Sequence, residues 1–298
     1  MPEISGSNGA GPVTRTVPSA RPWAEVWGSP IGHSLSPTLH QAAYAALGLE
    51  WDYRAREVTL AGLPQEFLSL GEGARGLSLT MPLKEGILDL VARHEPVVDV
   101  VGVANTVIFG ADGPVLTNTD PLGVLGALDD ARVDAEVAWI VGAGATARAV
   151  GYALALRGTQ EIVLVVREPG RAVATADVLR GCGATVSVVH LDDVAQAPAP
   201  GLVVSTLPGG SEFPFVPAAA LLRSSVLFDV AYNPWPSPAA TLWHAEGATV
   251  VSGLSMLVHQ ALHQVRWFLT GRGDQPLAEE EVVLNSMMHS VGLKTSNQ

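Results

Sequence analysis

Cysteine is almost absent from this chain of 298 residues, which contains only Cys182. A single thiol permits no disulfide within the chain, which fits a reducing compartment such as the cytoplasm. Cys182 lies between two glycines, and no other potential ligand stands near it at the spacing of a metal site. We therefore interpret Cys182 as a structural residue.

Positive charge is also scarce. Lysine and arginine together number 17 against 29 acidic residues, so the formal net charge is -12. Proteins bind nucleic acids largely through Lys and Arg contacts with phosphate, so this balance disfavours a nucleic-acid partner. It does not exclude a small anionic ligand, because the charge of the binding site decides that. The eight histidines are scattered without the spacing of metal ligands, and we predict no metal site.

Long apolar runs and a signal peptide are missing as well. The more apolar stretches, such as residues 194–213, are interrupted by proline and glycine, so we predict no membrane span. The first residues, Met-Pro-Glu-Ile-Ser-Gly, contain neither a basic n-region nor an apolar h-region. We expect a cytoplasmic protein.

The remaining composition is that of a folded protein with room for two domains. Hydrophobic residues make up 48% of the chain and charged residues 15%. Residues 1–20 are rich in Gly, Ser and Pro and lack apolar periodicity, so we predict a disordered tail there. From Trp23 to about Leu122, and again from about Val137, strand-like runs alternate with helical runs. This alternation predicts βαβ units and an α/β fold.

A glycine-rich turn opens the second α/β series. Residues 142–147 read Gly-Ala-Gly-Ala-Thr-Ala, directly after a predicted strand over 137–141 and before a predicted helix over 145–157. In this frame Gly142 permits the tight turn, Gly144 lets a pyrophosphate approach the backbone, and the helix N-terminus offers free N–H groups. We predict a dinucleotide site that includes Gly142, Ala143, Gly144, Ala145 and Thr146.

The end of the next strand indicates which dinucleotide binds. An acid there would bind the ribose 2′-OH of NAD, whereas an arginine would bind the 2′-phosphate of NADP. Val166 occupies the place of the acid, and Arg167 follows it with Arg171 nearby, which favours NADP. Glu168 favours NAD, so NAD stays open as an alternative.

Two serine hydroxyls stand near the N-terminus, within Gly-Ser-Pro-Ile-Gly-His-Ser-Leu-Ser-Pro at residues 28–37. In an extended segment Ser34 and Ser36 would point the same way, and the flanking prolines would restrict the backbone that carries them. Such a pair suits a small anion or a polyol, and a helix N-cap is the alternative. We expect His33 and His40 to pack or to support neighbouring groups rather than to act as bases.

Lys84 and Asp120 are the candidate pair for proton transfer. Lys84 stands just inside a helix that we predict to follow Pro82 and to run to Ala92, where the helix dipole disfavours a cation. Such a lysine suits proton transfer, although a solvated helix lysine is the alternative. Asp120 stands at a predicted strand-to-helix junction, where an N-cap is the alternative. Only the fold could bring the two side chains together.

Several motifs, in order along almost the whole chain after residue 22, resemble those of the shikimate dehydrogenase family. The family motif Asn-Val-Thr-x-Pro-x-Lys appears as Ser-Leu-Thr-Met-Pro-Leu-Lys at residues 78–84, and its Asn-Thr-Asp motif appears at residues 118–120. Further matches are the serine motif (Ser34, Ser36, Pro37, His40), the pair Asn105-Thr106, Tyr232, and Gln260 in the final predicted helix.

The resemblance implies NADPH-dependent, reversible reduction of 3-dehydroshikimate to shikimate, a step of chorismate and aromatic amino-acid biosynthesis. By this resemblance, Lys84 and Asp120 would be the catalytic pair, with Lys84 at the carbonyl that receives the hydride. Ser34, Ser36 and Tyr232 would hold the substrate carboxylate. The groups at the ring hydroxyls would be Thr80, Asn105, Asp120 and Gln260, with Ser78 as a further substrate contact. Cofactor contacts beyond the glycine-rich turn and Arg167 would come from Thr206, Val230 and Gly253.

The resemblance also implies the domain organisation. A substrate-binding domain would span residues 21–122 and an NADP-binding Rossmann domain residues 123–252. Residues 253–298 would return to the first domain, because Gln260 is needed at the substrate. The catalytic cleft would then lie between the domains of a monomer or homodimer.

Departures from the family pattern keep two other functions open. Ser78 replaces the usual Asn and shortens the reach of that side chain, while Val166 and Glu168 replace the usual neighbours of Arg167. Glu168 keeps open an NAD-preferring quinate/shikimate dehydrogenase. A shikimate-binding regulatory module without catalysis is the other alternative, and the retention of Lys84 and Asp120 argues against it.

Overall fold

A computed structural model describes residues 21–294 and contains two β-sheets with flanking helices. The disordered tail predicted for residues 1–20 lies outside the described residues. The predicted α/β fold class is confirmed, because helices alternate with strands along the chain and most strand pairs are parallel.

The first sheet is mixed, and its spatial order is β2-β1-β3-β4-β5. Its strands are β1 (Trp23–Gly28), β2 (Asp52–Glu57), β3 (Ala74–Leu79), β4 (Thr106–Gly110) and β5 (Gly113–Thr117). β1 pairs in parallel with β2 and β3, whereas β4 is antiparallel to both β3 and β5. β3 and β5 therefore run in the same direction, and their C-terminal ends lie at the same edge of the sheet.

Four helices connect these strands: α1 (Ser36–Ala46), α2 (Leu63–Leu68), α3 (Leu83–Gly86) and α4 (Pro96–Val101). The helix predicted to run from Pro82 to Ala92 is wrong in its length, because α3 ends at Gly86 and a single 3₁₀ turn follows over Ile87–Asp89. Glycine disfavours helix by about 1 kcal/mol relative to alanine. A Cβ at Gly86 would lie 2.4 Å from the Leu60 side chain, so this position favours close packing over helix continuity.

The second sheet has six parallel strands in the order β11-β10-β9-β6-β7-β8. Its strands are β6 (Val137–Val141), β7 (Glu161–Val166), β8 (Thr185–His190), β9 (Leu202–Ser205), β10 (Val226–Asp229) and β11 (Val250–Ser252). The flanking helices include α6 (Ala145–Leu156), α7 (Val173–Gly181), α8 (Ala219–Ser224) and α9 (Pro238–Ala245). This is the doubly wound order, and its direction of winding reverses between β6 and β9, where ligands bind in such sheets.

Two long helices join the two sheets. α5 (Asp120–Ala131) leads out of the first sheet, and α10 (Gly253–Thr270) leads back from the second and packs along α5. α10 also contacts β3, β4, α1 and the last helix, α11 (Glu280–Ser290). The close approach of α5 and α10 requires glycine, since a Cβ at Gly126 would lie 2.4 Å from the His259 ring. Over residues 21–294, no helix is both long enough and apolar enough to cross a membrane.

Candidate active site

Ser34 and Ser36 stand where the chain turns into α1. Leu35 between them has helical angles (φ -86°, ψ -3°), and Ser36 is the first residue of the helix. The expectation of an extended segment was wrong, because the proline in the first turn favours helix here. The Ser34 hydroxyl accepts a hydrogen bond from the Ser36 N–H at 3.3 Å, and both serines line a cleft between the two sheets.

The two histidines near these serines have different surroundings. His40 is fully buried, its Nδ1 lies 3.0 Å from the Ser36 carbonyl oxygen, and its ring stacks on Tyr53 with centroids 3.9 Å apart. Burial lowers the pKa of His40 to about 3, so its ring is neutral and serves packing, as expected. His33 is exposed and lines the cleft, so packing is wrong for this residue, while a supporting role rather than that of a base stays a prediction.

Lys84 and Asp120 meet in this cleft as an ion pair. Lys84 Nζ lies 2.5 Å from Asp120 Oδ2, although the residues are 36 positions apart in the chain. Lys84 follows β3 and Asp120 follows β5, so the shared direction of these strands brings both to one sheet edge. Their side chains are only 14% and 6% exposed, so there is little water to screen the charges.

Asn105 holds the second oxygen of the Asp120 carboxylate. Its Nδ2 donates to Asp120 Oδ1 at 2.8 Å, while its Oδ1 accepts from the Thr119 backbone N–H at 2.8 Å. Because a backbone N–H can only donate, this contact fixes which way the amide of Asn105 points. Both Asp120 oxygens therefore accept hydrogen bonds, and the carboxylate is held in place towards Lys84.

All nine predicted catalytic and substrate residues line one cleft of about 420 Å³, within the range of small-molecule sites. They are Ser34, Ser36, Ser78, Thr80, Lys84, Asn105, Asp120, Tyr232 and Gln260. Tyr232 comes from the second sheet, after β10, and reaches the loop that carries the two serines. Burial raises the pKa of Tyr232, and the Leu35 backbone N–H opposes this rise.

Gln264 lines the same cleft, and the sequence reasoning missed it. It lies one turn after Gln260 on α10 and is 1% exposed. Its spacing of four residues from Gln260 was an available signal, because i and i+4 share one face of a helix.

A second cavity, of about 260 Å³, lies at the reversal point of the parallel sheet. It is lined by Gly142, Ala143 and Gly144. Gly142 has φ +117°, and a Cβ there would lie 2.4 Å from Thr206 Oγ1, so both backbone angle and space require glycine. A Cβ at Gly144 would meet nothing within 4 Å, which leaves the N-terminus of α6 open to a pyrophosphate.

The other predicted cofactor residues lie at two places, next to this turn and in the first cleft. Ala145 is the first residue of α6, and Thr206 donates to the Val141 carbonyl at 3.0 Å beneath the turn. Thr146, Val230 and Gly253 line the cleft that contains Lys84 and Asp120, and Leu207 forms part of the wall of both cavities.

Three exposed charged residues, Arg167, Glu168 and Arg171, form the rim of the second cavity. Glu168 lies 3.7 Å from Arg171 and forms an ion pair with it. Arg167 makes no ion pair with any residue between 21 and 294. The rim thus offers one guanidinium whose charge no described carboxylate neutralises, which suits a 2′-phosphate.

Comparison with known proteins agrees with this geometry. The family model for the shikimate dehydrogenase substrate binding domain matches residues 26–107. A shikimate dehydrogenase (NADP(+)) of Methanosarcina barkeri is 36% identical over 249 residues, which are 79% of this chain and 88% of that protein.

Solved structures agree as well. Mycobacterium tuberculosis shikimate dehydrogenase is 36% identical with a TM-score of 0.77, covering 90% of this chain and 99% of that one. Shikimate 5-dehydrogenase of Thermus thermophilus, in complex with NADP(H) and shikimate, is 29% identical with a TM-score of 0.76 and covers the same shares. The resemblance noted in the sequence is confirmed, and the chain belongs to the shikimate dehydrogenase family.

Proposed function

We propose that this chain is an NADP-dependent shikimate dehydrogenase, which reversibly reduces 3-dehydroshikimate to shikimate on the route to chorismate and the aromatic amino acids. The observation that carries the proposal is the shielded ion pair of Lys84 and Asp120 in a polar cleft next to a dinucleotide cavity. The relatives at 36% identity, named for this activity, support it.

Lys84 supplies the proton of the reaction. Reduction of a ketone places a hydride on the carbonyl carbon and a proton on its oxygen, and bound NADPH supplies the hydride. The Lys84 ammonium group donates its proton to the oxygen, and its positive charge stabilises the negative charge that develops there. In the direction of oxidation, the neutral amine accepts the hydroxyl proton.

Asp120 orients Lys84 rather than reacting itself. Its Oδ2 contacts Nζ at 2.5 Å, and its Oδ1 is held by Asn105 at 2.8 Å. This two-sided contact fixes the ammonium group at one position in the cleft, so little reorganisation is required when the substrate reacts.

The polar groups of the cleft fall into two sets. Ser34, Ser36 and Tyr232 offer hydroxyls, which we assign to the substrate carboxylate. We assign a second set, of amide and hydroxyl groups, to the ring hydroxyls. This second set is Ser78, Thr80, Asn105 and Gln260.

The dinucleotide site combines backbone and side-chain recognition. The turn of Gly142 and Gly144 and the N-terminus of α6 would hold the pyrophosphate, and Arg167 the 2′-phosphate of NADP. An NAD-preferring quinate/shikimate dehydrogenase is the second candidate, because Glu168 on the same rim could accept the ribose 2′-OH. Its ion pair with Arg171 favours NADP, since it draws the carboxylate away from the ribose.

We also propose how the chain is divided between substrate binding and NADP binding. We assign substrate binding to residues 21–122, with 253–298 returning to them, and NADP binding to residues 123–252. We further propose a cytoplasmic enzyme that is a monomer or a homodimer. Light scattering on the purified chain would give the oligomeric state.

The test is an absorbance assay at 340 nm with purified protein. Shikimate and quinate are each offered with NADP⁺ and with NAD⁺. We expect rapid turnover with shikimate and NADP⁺. Turnover of quinate with NAD⁺ as the best pair would favour the second candidate, and folded protein that turns over neither substrate would contradict both.

A further inference from the structure

A continuous chain of hydrogen bonds runs along the wall of the substrate cleft and ends at Asp120. Each member donates to the next, and the members come from β2, β3, β4 and α10, from Asn105 just before β4, and from the first residue of α5. The contacts are Tyr53 OH to Ser78 Oγ at 2.6 Å, Ser78 Oγ to Gln264 Oε1 at 2.8 Å, Gln264 Nε2 to Thr106 Oγ1 at 3.0 Å, Thr106 Oγ1 to Asn105 Oδ1 at 2.7 Å, and Asn105 Nδ2 to Asp120 Oδ1 at 2.8 Å.

A backbone carbonyl fixes the direction of this chain at Gln264. Gln264 Nε2 lies 3.2 Å from the Asn105 carbonyl oxygen, which can only accept a hydrogen bond. The nitrogen of the amide must therefore face Asn105, and its oxygen must face Ser78. Because an amide oxygen cannot donate, the single hydroxyl proton of Ser78 is committed to Gln264.

Tyr53 contacts the Ser78 hydroxyl on the side opposite Gln264 and must donate to it. Since Ser78 has no second proton, the 2.6 Å contact requires Tyr53 to donate. Burial raises the pKa of Tyr53 well above its usual range. Tyr53 therefore keeps its proton, and its ring is held in place by stacking on His40.

The Ser78 oxygen has one lone pair left for the substrate. A serine hydroxyl has one proton and two lone pairs, and here the proton and one lone pair are already used. Ser78 nevertheless lines the substrate cleft. We propose that Tyr53 and Gln264 are positioning residues that make Ser78 a hydrogen-bond acceptor only, so that it selects a hydroxyl of the substrate and disfavours a carboxylate or carbonyl oxygen. This inference rests on the proposed function.

The experiment is a set of double-mutant cycles, with the KM for shikimate and its calorimetric Kd as the measured quantities. Tyr53→Phe and Gln264→Met are each made in the natural chain and in Ser78→Ala. In the natural chain we expect each to raise KM and Kd about fivefold, the value of one hydrogen bond. In Ser78→Ala, Tyr53→Phe should have almost no effect, because the residue through which it acts is gone. Gln264→Met should there lose the part of its effect that passes through Ser78 and keep only the part that passes through Thr106 and Asn105.

Tyr44→Phe is the matched control. Tyr44 is also buried in this core, with its ring 6.5 Å from that of Tyr53, but its hydroxyl has no hydrogen-bond partner among the described residues. This variant should leave KM unchanged, so an effect limited to Tyr53→Phe cannot come from loss of a buried hydroxyl in general.

Two results would overturn the inference. One is an equal rise in KM for Tyr53→Phe in the natural and Ser78→Ala chains, which would mean that Tyr53 acts independently of Ser78. The other is no rise in either chain. In both cases the natural enzyme still oxidises shikimate, so the proposed function stands. A natural chain that neither oxidises nor binds shikimate would contradict the function and this inference together.

Discussion

The substrate cleft and the dinucleotide cavity achieve recognition in different ways. In the cleft, Asn105, Asp120 and Gln264 are buried, and each is fixed by hydrogen bonds to its neighbours. For the dinucleotide cavity we propose recognition by the backbone of a glycine turn and by the exposed side chains of Arg167 and Glu168. The first arrangement sets donor and acceptor directions before the ligand arrives, whereas the second leaves charged side chains free to adjust.

This difference has an energetic basis. Leaving one buried polar group without its partner costs about 1–3 kcal/mol, and more if the group is charged. An exposed ion pair contributes about 0–1 kcal/mol and is weakened by salt. Substitutions in the cleft should therefore have large effects on activity, whereas substitutions on the cavity rim should shift preference between cofactors and leave the chemical step intact.

The largest effect should come from Lys84→Ala. Removing the proposed proton donor should lower kcat about 10²- to 10⁴-fold, while the KM for shikimate should change little, because we expect the lysine to contribute most in the transition state. Steady-state kinetics at 340 nm gives both constants. The chain has one other lysine, the exposed Lys294, so Lys294→Ala is the matched control and should be fully active. Near-normal kcat in Lys84→Ala would remove this residue from the mechanism.

Low pH should lower the free energy of unfolding through His40. Burial lowers its pKa to about 3 in the folded protein, against 6.5 for an ordinary histidine. Between these values the unfolded chain binds a proton that the folded chain does not, so the free energy of unfolding falls as pH falls below about 6.5. At pH 5 the loss is about 2 kcal/mol from this residue.

Urea unfolding at pH 7 and pH 5 would measure that loss. His40→Phe should lower stability at pH 7, since it removes the contact with the Ser36 carbonyl, but it should flatten the dependence on pH. His263 is also buried, and burial lowers its pKa to about 4, so part of the dependence should remain. An unchanged slope in His40→Phe would show that His40 does not cause the acid sensitivity.

Those parts of the molecule that depend on local sequence patterns could be predicted from the sequence. β6 lies at its predicted position, because parallel strands buried on both faces are continuous apolar runs. The glycine turn after β6 was also predictable, since Gly142 needs a positive φ that other residues rarely adopt. The matches of Lys84 and Asp120 to family motifs indicated their pairing, although nothing local in the chain brings them together.

What the sequence could not predict depends on contacts between distant segments. α3 ends at Gly86 and continues only as a 3₁₀ turn, and the close contact between Gly86 and Leu60 there joins segments that are 26 positions apart. The role of Gln264 depends on the Asn105 carbonyl oxygen, which lies 159 positions earlier in the chain. Ser78 was recognised as a departure from the family pattern, yet its fixed hydroxyl direction becomes visible only when Tyr53 and Gln264 are seen on either side of it.

The smallest effects should come from the rim of the dinucleotide cavity. Arg167→Ala should raise the KM for NADP⁺ about tenfold and change that for NAD⁺ little, because only NADP⁺ carries the 2′-phosphate. kcat should be unaffected, in contrast to Lys84→Ala. The KM for NADP⁺ should also rise with salt in the natural enzyme and much less in Arg167→Ala, since the interaction is between exposed charges.

Arg171→Ala tests whether Glu168 can contribute to NAD⁺ binding. Without Arg171 the Glu168 carboxylate loses its ion-pair partner and can turn towards the ribose. The KM for NAD⁺ should then fall by about twofold to threefold, a change in the range of an exposed ion pair. Arg171→Ala combined with Glu168→Gln should abolish that gain.

One outcome would contradict the prediction for Arg167→Ala. If this variant raised the KM for both cofactors equally, the Arg167 guanidinium would contact a group common to both, and the preference for NADP would have to come from the glycine turn.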